Sequence, residues 1–143
     1  DLLGDDLFKK ALHHYMDNWN GKHPIPWDYF YSMNAGANQN LNWFWNNWFF
    51  SNNYIDLKIA NVQSKNNKTI ITIQNVGGFA IPFDVVTTAK DGKQTTQHFT
   101  PAIWSKNEKN ITVIIDNKTT LSSVKLDGGI FMDATPGDNE YKL

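Results

Sequence analysis

Four histidines (His13, His14, His23 and His98), two glutamates (Glu108 and Glu140) and twelve aspartates are the side chains with metal-ligating or acid–base chemistry. A helical zinc site of the H-E-x-x-H kind needs two imidazoles at i and i+4, so that both face one ion. That motif is absent. Adjacent His13 and His14 diverge by about 100° on a helix, so they read as solvent-facing helix residues. His23 precedes Pro24 in a loop, and His98 falls in a predicted strand with no acidic residue cluster beside it in sequence. Both glutamates lie in predicted loops, and the aspartates mark caps and turns, leaving no carboxylate pair for acid–base work. Neither a phosphate-cradling glycine loop nor a G-x-S-x-G elbow occurs. On this reading the chain carries no catalytic, cofactor-binding or metal-ligating residue of its own. N-x-[ST] sequons begin at Asn67, Asn110 and Asn117, close to the roughly two that chance predicts for so Asn-rich a chain.

The aromatic residues are the other candidates. Fourteen of the twenty lie in residues 1–54. Trp43, Phe44, Trp45, Trp48 and Phe49 recur at helical spacing, which suits a packed core better than a sugar- or peptide-stacking platform. Trp104, isolated between Pro101 and Lys106 near a predicted strand end, reads either as an exposed ligand-binding aromatic or as a cap over one end of a β-sandwich.

These residues need elements to hold them. Leu7, Phe8, Ala11, Leu12, Tyr15, Met16 and Trp19 occupy one half of a helical wheel, with Lys9, Lys10, His13 and Asp17 opposite. This predicts an amphipathic helix capped by Asp5 or Asp6 and ending near Asn20, with Gly21 at C′. A second short helix, capped by Asp28, carries Phe30, Tyr31 and Met33. Gly36 is expected to end it before a polar linker at Ala37–Asn40. A third runs from Leu41 to Phe50, with Trp43 and Phe50 opposite its main apolar face, so that it is expected to be sandwiched between two partners. From Ile55 onward the period falls to 2, predicting strands near 55–63, 68–76, 83–90, 93–100, 109–116 and 122–127, with Phe131–Ala134 as a seventh at the edge. Lys65–Lys68, Gly77-Gly78, Asp91-Gly92 and Asp127–Gly129 are the turn signals, Asp91-Gly92 the firmest of them. The expected fold is α+β in two segments: a helical piece of about three short helices over 1–54, then an all-β immunoglobulin-like antiparallel sandwich over 55–143.

Composition excludes several functions. At 143 residues, 41% apolar and 14% aromatic, the chain can bury a core. Its net charge is -1 and all thirteen basic residues are Lys, so the bidentate Arg contacts typical of nucleic-acid readers are missing. Nucleic acid is not an expected partner. No apolar run approaches the length of a membrane span. Lacking Cys, the chain carries no disulfide to mark its compartment; a bacterial periplasmic or secreted setting is favoured over the cytoplasm. Beginning at Asp1, it is expected to be a piece of something longer.

Three runs bear on that expectation: Leu7-Phe8-x-x-Ala11-Leu12-x-x-Tyr15, Pro26-Trp27-Asp28-Tyr29-Phe30, and Leu41-Asn42-Trp43-Phe44-Trp45-x-x-Trp48-Phe49-Phe50 followed by Tyr54. Together they resemble the last helices of the catalytic domain in the aminopeptidase N family, zinc metallopeptidases of the gluzincin clan. In that family a β-sandwich follows, and Asn75, Gly77, Pro82, Asp91-Gly92, Trp104 and Asp133–Asn139 are similar to it in placement. The resemblance implies a parent enzyme in which zinc polarises the scissile carbonyl and Glu activates water to release N-terminal residues from peptides. The family's zinc ligands and catalytic groups have no counterpart here, so the chain alone is expected to be inactive and metal-free, with zinc held by the parent. Its role would be packing scaffold, with Trp43, Phe44, Trp45, Trp48, Phe49, Phe50 and Tyr54 as interdomain packing residues and the missing catalytic core as partner. Without that core, self-association through the exposed helical surface is expected. The competing reading is an autonomous immunoglobulin-like module that binds glycan or protein through Trp and Tyr.

Overall fold

The 3.6-residue period of Leu7, Ala11 and Tyr15 gives α1, Asp5–Trp19, in the computed structural model, which describes residues 1–116, 119–127 and 132–143. Gly4, at φ +70°, is its N-cap; Asp5 and Asp6 lie inside the first turn, where their charge complements the helix dipole. Neither therefore caps the helix as expected. Gly21, just past the C-cap Asn20, takes φ +73°, the left-handed geometry that stops a helix.

The second helix, α2, spans Pro26–Ala37. Proline opens it at no cost because the first-turn N–H has no intrahelical acceptor. Asp28 is not its cap but sits inside the first turn and reaches back, accepting the Ile25 N–H at 2.9 Å. The structure also corrects the expected end at Gly36: that residue is a buried helical position, and the helix stops where Asn38 turns left-handed at φ +51°. Gly36 is small because α1 crosses there; a Cβ would stand 2.6 Å from Ala11 Cα. The last helix of this unit, α3, spans Asn42–Phe49. Ala11, Phe30, Met33, Ala37, Leu41 and Trp45 form the helical core.

Among the described residues seven strands make two antiparallel sheets: β1 (Leu57–Lys65), β2 (Lys68–Asn75), β3 (Phe83–Ala89), β4 (Gln94–Phe99), β5 (Asn110–Asp116), β6 (Leu121–Asp127) and β7 (Glu140–Lys142). One sheet has the order β1-β2-β5, the other β4-β3-β6-β7, the three-plus-four division of immunoglobulin-like sandwiches. Alternate side chains fill the interior, strictly in β2, β3 and β5 and with a break in β1 and β6: Ile71 and Ile73 of β2, Val85 of β3 and Val124 of β6 are fully buried. Asn66 and Asn67, both left-handed at φ +52° and +59°, close the β1–β2 hairpin. The β3–β4 hairpin turns at Asp91-Gly92, where Gly92 takes φ +86° and the Asp91 carboxylate accepts the Lys93 N–H at 3.0 Å.

Phe131 and the glycines of the Asp127–Gly129 turn lie outside the described residues, and Met132–Ala134 form no strand. The seventh strand is β7 instead, pairing with β6 through Val124↔Tyr141. Asp133 accounts for the difference, because its carboxylate is bonded to the N–H groups of Leu57 and Thr135 and holds the segment as a loop. Glu140, expected in a loop, begins β7. The helices and the sandwich fall into two compact units, Asp1–Ser51 and Asn52–Leu143. Among the described residues no helix is long and apolar enough to cross a membrane.

Candidate functional site

Six of the seven packing aromatics lie on or next to α3. Trp45 is buried, its ring stacked on Phe30 at 5.0 Å and its indole N–H donated to Asn34 Oδ1 at 2.9 Å. Asn34 serves the turn as well: the same oxygen accepts the Leu41 N–H, and its amide nitrogen donates to Asn42 Oδ1 at 2.8 Å. One α2 side chain thus fixes where α3 starts. Trp43 and Phe44 are half-buried. Phe49 packs on Phe30 at 5.1 Å and Phe50 stacks flat on Trp27 at 4.8 Å, yet Trp48, Phe49, Phe50, Trp27 and Tyr31 are all exposed, Tyr31 at 64% and Phe49 at 59%. Beneath them Tyr29, edge-on to Tyr15 at 5.2 Å, has its phenol pushed above the usual range by burial and by Tyr15.

Tyr54, the seventh, enters the sandwich unit. Its N–H donates to the Gly77 carbonyl at 3.0 Å and its ring is exposed. Gly77 is required by this contact, since a Cβ would lie 2.1 Å from Tyr54 O. The two readings of Trp104 are resolved toward the cap. It sits at the end of a 3₁₀ turn, Pro101–Trp104, buried against Phe83, with its indole N–H donated to the Ile81 carbonyl at 2.9 Å.

The histidines do not converge. His13 and His14 are exposed on α1 and His23 is exposed in the following loop. His98 does have an acidic neighbour after all: cross-strand Asp84 bonds its Nδ1 at 2.6 Å at an exposed site.

The aspartates, read from sequence as caps and turns, do converge. Asp56, just before β1, meets Asp133 and Asp138 from the loop before β7, and one carboxylate oxygen from each lies within 4.8 Å of the others. Asp56 is only 5% exposed. Burial, then the charges of Asp133 and Asp138, push its carboxyl above the usual range, against smaller opposing effects of the Thr135 hydroxyl and Lys58. The Asp133 carboxylate is held at both oxygens, by the N–H groups of Leu57 at 2.9 Å and Thr135 at 2.8 Å. Sequence reading missed this cluster because its members are far apart along the chain. The one local signal is the pair of aspartates five residues apart with Asn139 next to the second.

No protein-family model and no curated protein matches the chain. Among solved structures, it is similar to Legionella pneumophila aminopeptidase A, crystallised in complex with aspartic acid, with a TM-score of 0.59 at 15% identity. The match covers 87% of this chain but 14% of that one, so the present chain has the fold of a short segment of a much longer enzyme.

Proposed function

We propose that this chain is the non-catalytic C-terminal part of a zinc-dependent, aminopeptidase-like metallopeptidase, serving there as packing scaffold. The observation that carries the reading is the fold match to a segment of an aminopeptidase across helices and sandwich together. The exposed rings of Trp27, Tyr31, Trp48, Phe49 and Phe50 support it, because apolar surface of this kind on a soluble protein marks a contact face. Zinc is not assigned to this chain. Its histidines are scattered, and its three-carboxylate cluster lacks the nitrogen and sulfur ligands that zinc sites favour. Peptide hydrolysis and grip on the substrate's amine belong, on this reading, to the catalytic core of the parent, and the aromatic face is where that core packs.

The test is an aminopeptidase assay with zinc quantified by atomic absorption, run on this chain and on the full product of its gene. Zinc and turnover are expected only in the longer protein. Stoichiometric zinc or turnover in this chain alone overturns the scaffold role, and silence from both leaves an autonomous binding module as the better account.

A further inference from the structure

The side chains around Asp56 offer more acceptors than the donors beside them satisfy. Among the described residues, three buried side-chain oxygens have no hydrogen-bond partner: Asp56 Oδ1, Asp138 Oδ1 and Asn139 Oδ1. Two belong to the carboxylate cluster and the third to the residue beside it. Asp56 and Asn139 are 5% and 9% exposed, so water does little to compensate either. Buried oxygens left unbonded are rare in native folds and call for a ligand. Three carboxylates crowded together, one of them buried and two half-buried, call for a positive one. Among the described residues no lysine pairs with any of the three carboxylates at ion-pair distance.

From this we infer that Asp56, Asp133, Asp138 and Asn139 form a calcium-binding site at one end of the sandwich. The donor set is oxygen only, three carboxylates and an amide carbonyl, which selects a hard cation over zinc or copper. Calcium tolerates the irregular six- to eightfold oxygen shell that loop side chains provide, water completing it, whereas magnesium demands a near-ideal octahedron and gives up its waters reluctantly. The surroundings already orient the ligands as metal sites require. Backbone N–H groups of Leu57 and Thr135 fix the Asp133 carboxylate, and the Thr135 hydroxyl stands 3.5 Å from the Asp56 oxygen that is not orphaned.

The experiment uses the 143-residue chain, stripped with EDTA and exchanged into metal-free buffer. Calorimetric titration with calcium chloride is expected to give one site per chain. Thermal unfolding is expected to rise by roughly 5 °C or more at about 10 mM calcium, with magnesium at least about tenfold weaker. Asp138→Asn and Asp56→Asn are expected to abolish the response, and Asp116→Asn, at the end of the β1-β2-β5 sheet opposite to Leu57, to keep it. Failure of the folded wild-type chain to take up calcium overturns the site, leaving a shared proton to hold the carboxylates together. Uptake that survives Asp138→Asn overturns it equally. Should Asp56→Asn not fold, the more exposed Asp138→Asn decides. Neither readout involves peptidase activity, so the outcome is independent of the scaffold proposal.

Discussion

Gly36 and Asp56 show how much one side chain, or its absence, settles in this fold. At Gly36 a methyl group would meet Ala11 Cα at 2.6 Å and His14 Cβ at 2.9 Å. Gly36→Ala is therefore expected to force α1 and α2 apart at a cost of about 1–3 kcal/mol, read as a lower denaturant midpoint. An unchanged midpoint would mean that the helices slide apart freely. At Asp56 the like charges of Asp133 and Asp138 work against the buried carboxylate. Metal-free Asp56→Asn is accordingly expected to melt above the metal-free wild type at pH 7, since the near-isosteric amide removes a charge and keeps the shape. Tyr29 supplies a pH test. Its folded-state pKa is raised from 10.0, so the folded chain holds the phenolic proton more tightly than the unfolded chain does. The resulting stability is fully present below pH 10 and is lost as pH climbs through the folded value. Helical circular dichroism from pH 9 to 11.5 is expected to fall less steeply in Tyr29→Phe than in the wild type. Of these residues the sequence announced little. Gly36 looks like a helix terminator until α1 lies across it, and Asp56 looks like a turn residue until the far end of the chain arrives.

Elements were more legible than residues, because hydrophobic period is a local property. The wheel of Leu7, Ala11 and Tyr15 places α1, and the alternation of Ile111, Val113 and Ile115 places β5 within a residue of its observed bounds. Two failures have physical causes. The expected edge strand at Phe131–Ala134 has the right residue types, but Asp133 is bonded to Leu57 and Thr135, and the short β7 beyond it pairs with β6. Asp28 has the right type for a cap but acts from inside the helix it starts, through Ile25. Trp104 is the element-scale test of how the sandwich is closed. Trp104→Phe keeps most of the apolar contact with Phe83 but orphans the Ile81 carbonyl. A loss of about 1–2 kcal/mol is expected in urea unfolding, and no loss would show that water replaces the indole.

For the molecule as a whole, the exposed aromatic side chains of the helical unit are expected to set solution behaviour. Sedimentation velocity is expected to show association that grows with concentration, and replacing Tyr31 and Phe49 by Ser is expected to weaken it. A wild-type chain that stays monomeric at high concentration would count against a packing face. Beyond assembly, the bond from the Leu57 N–H to the Asp133 carboxylate, across 76 residues, governs when the sandwich can be finished during synthesis. At about 5–20 residues per second, a ribosome needs roughly 4–15 s to make that stretch. For that interval β1 stands at the growing sheet without the segment that ties down its first residue. Asp56 waits with it, still open to water and free of the neighbours that later crowd it. A nascent chain stalled before Asp133 is therefore expected to be cut by protease near Asp56, and a chain that includes residues up to Leu143 to resist.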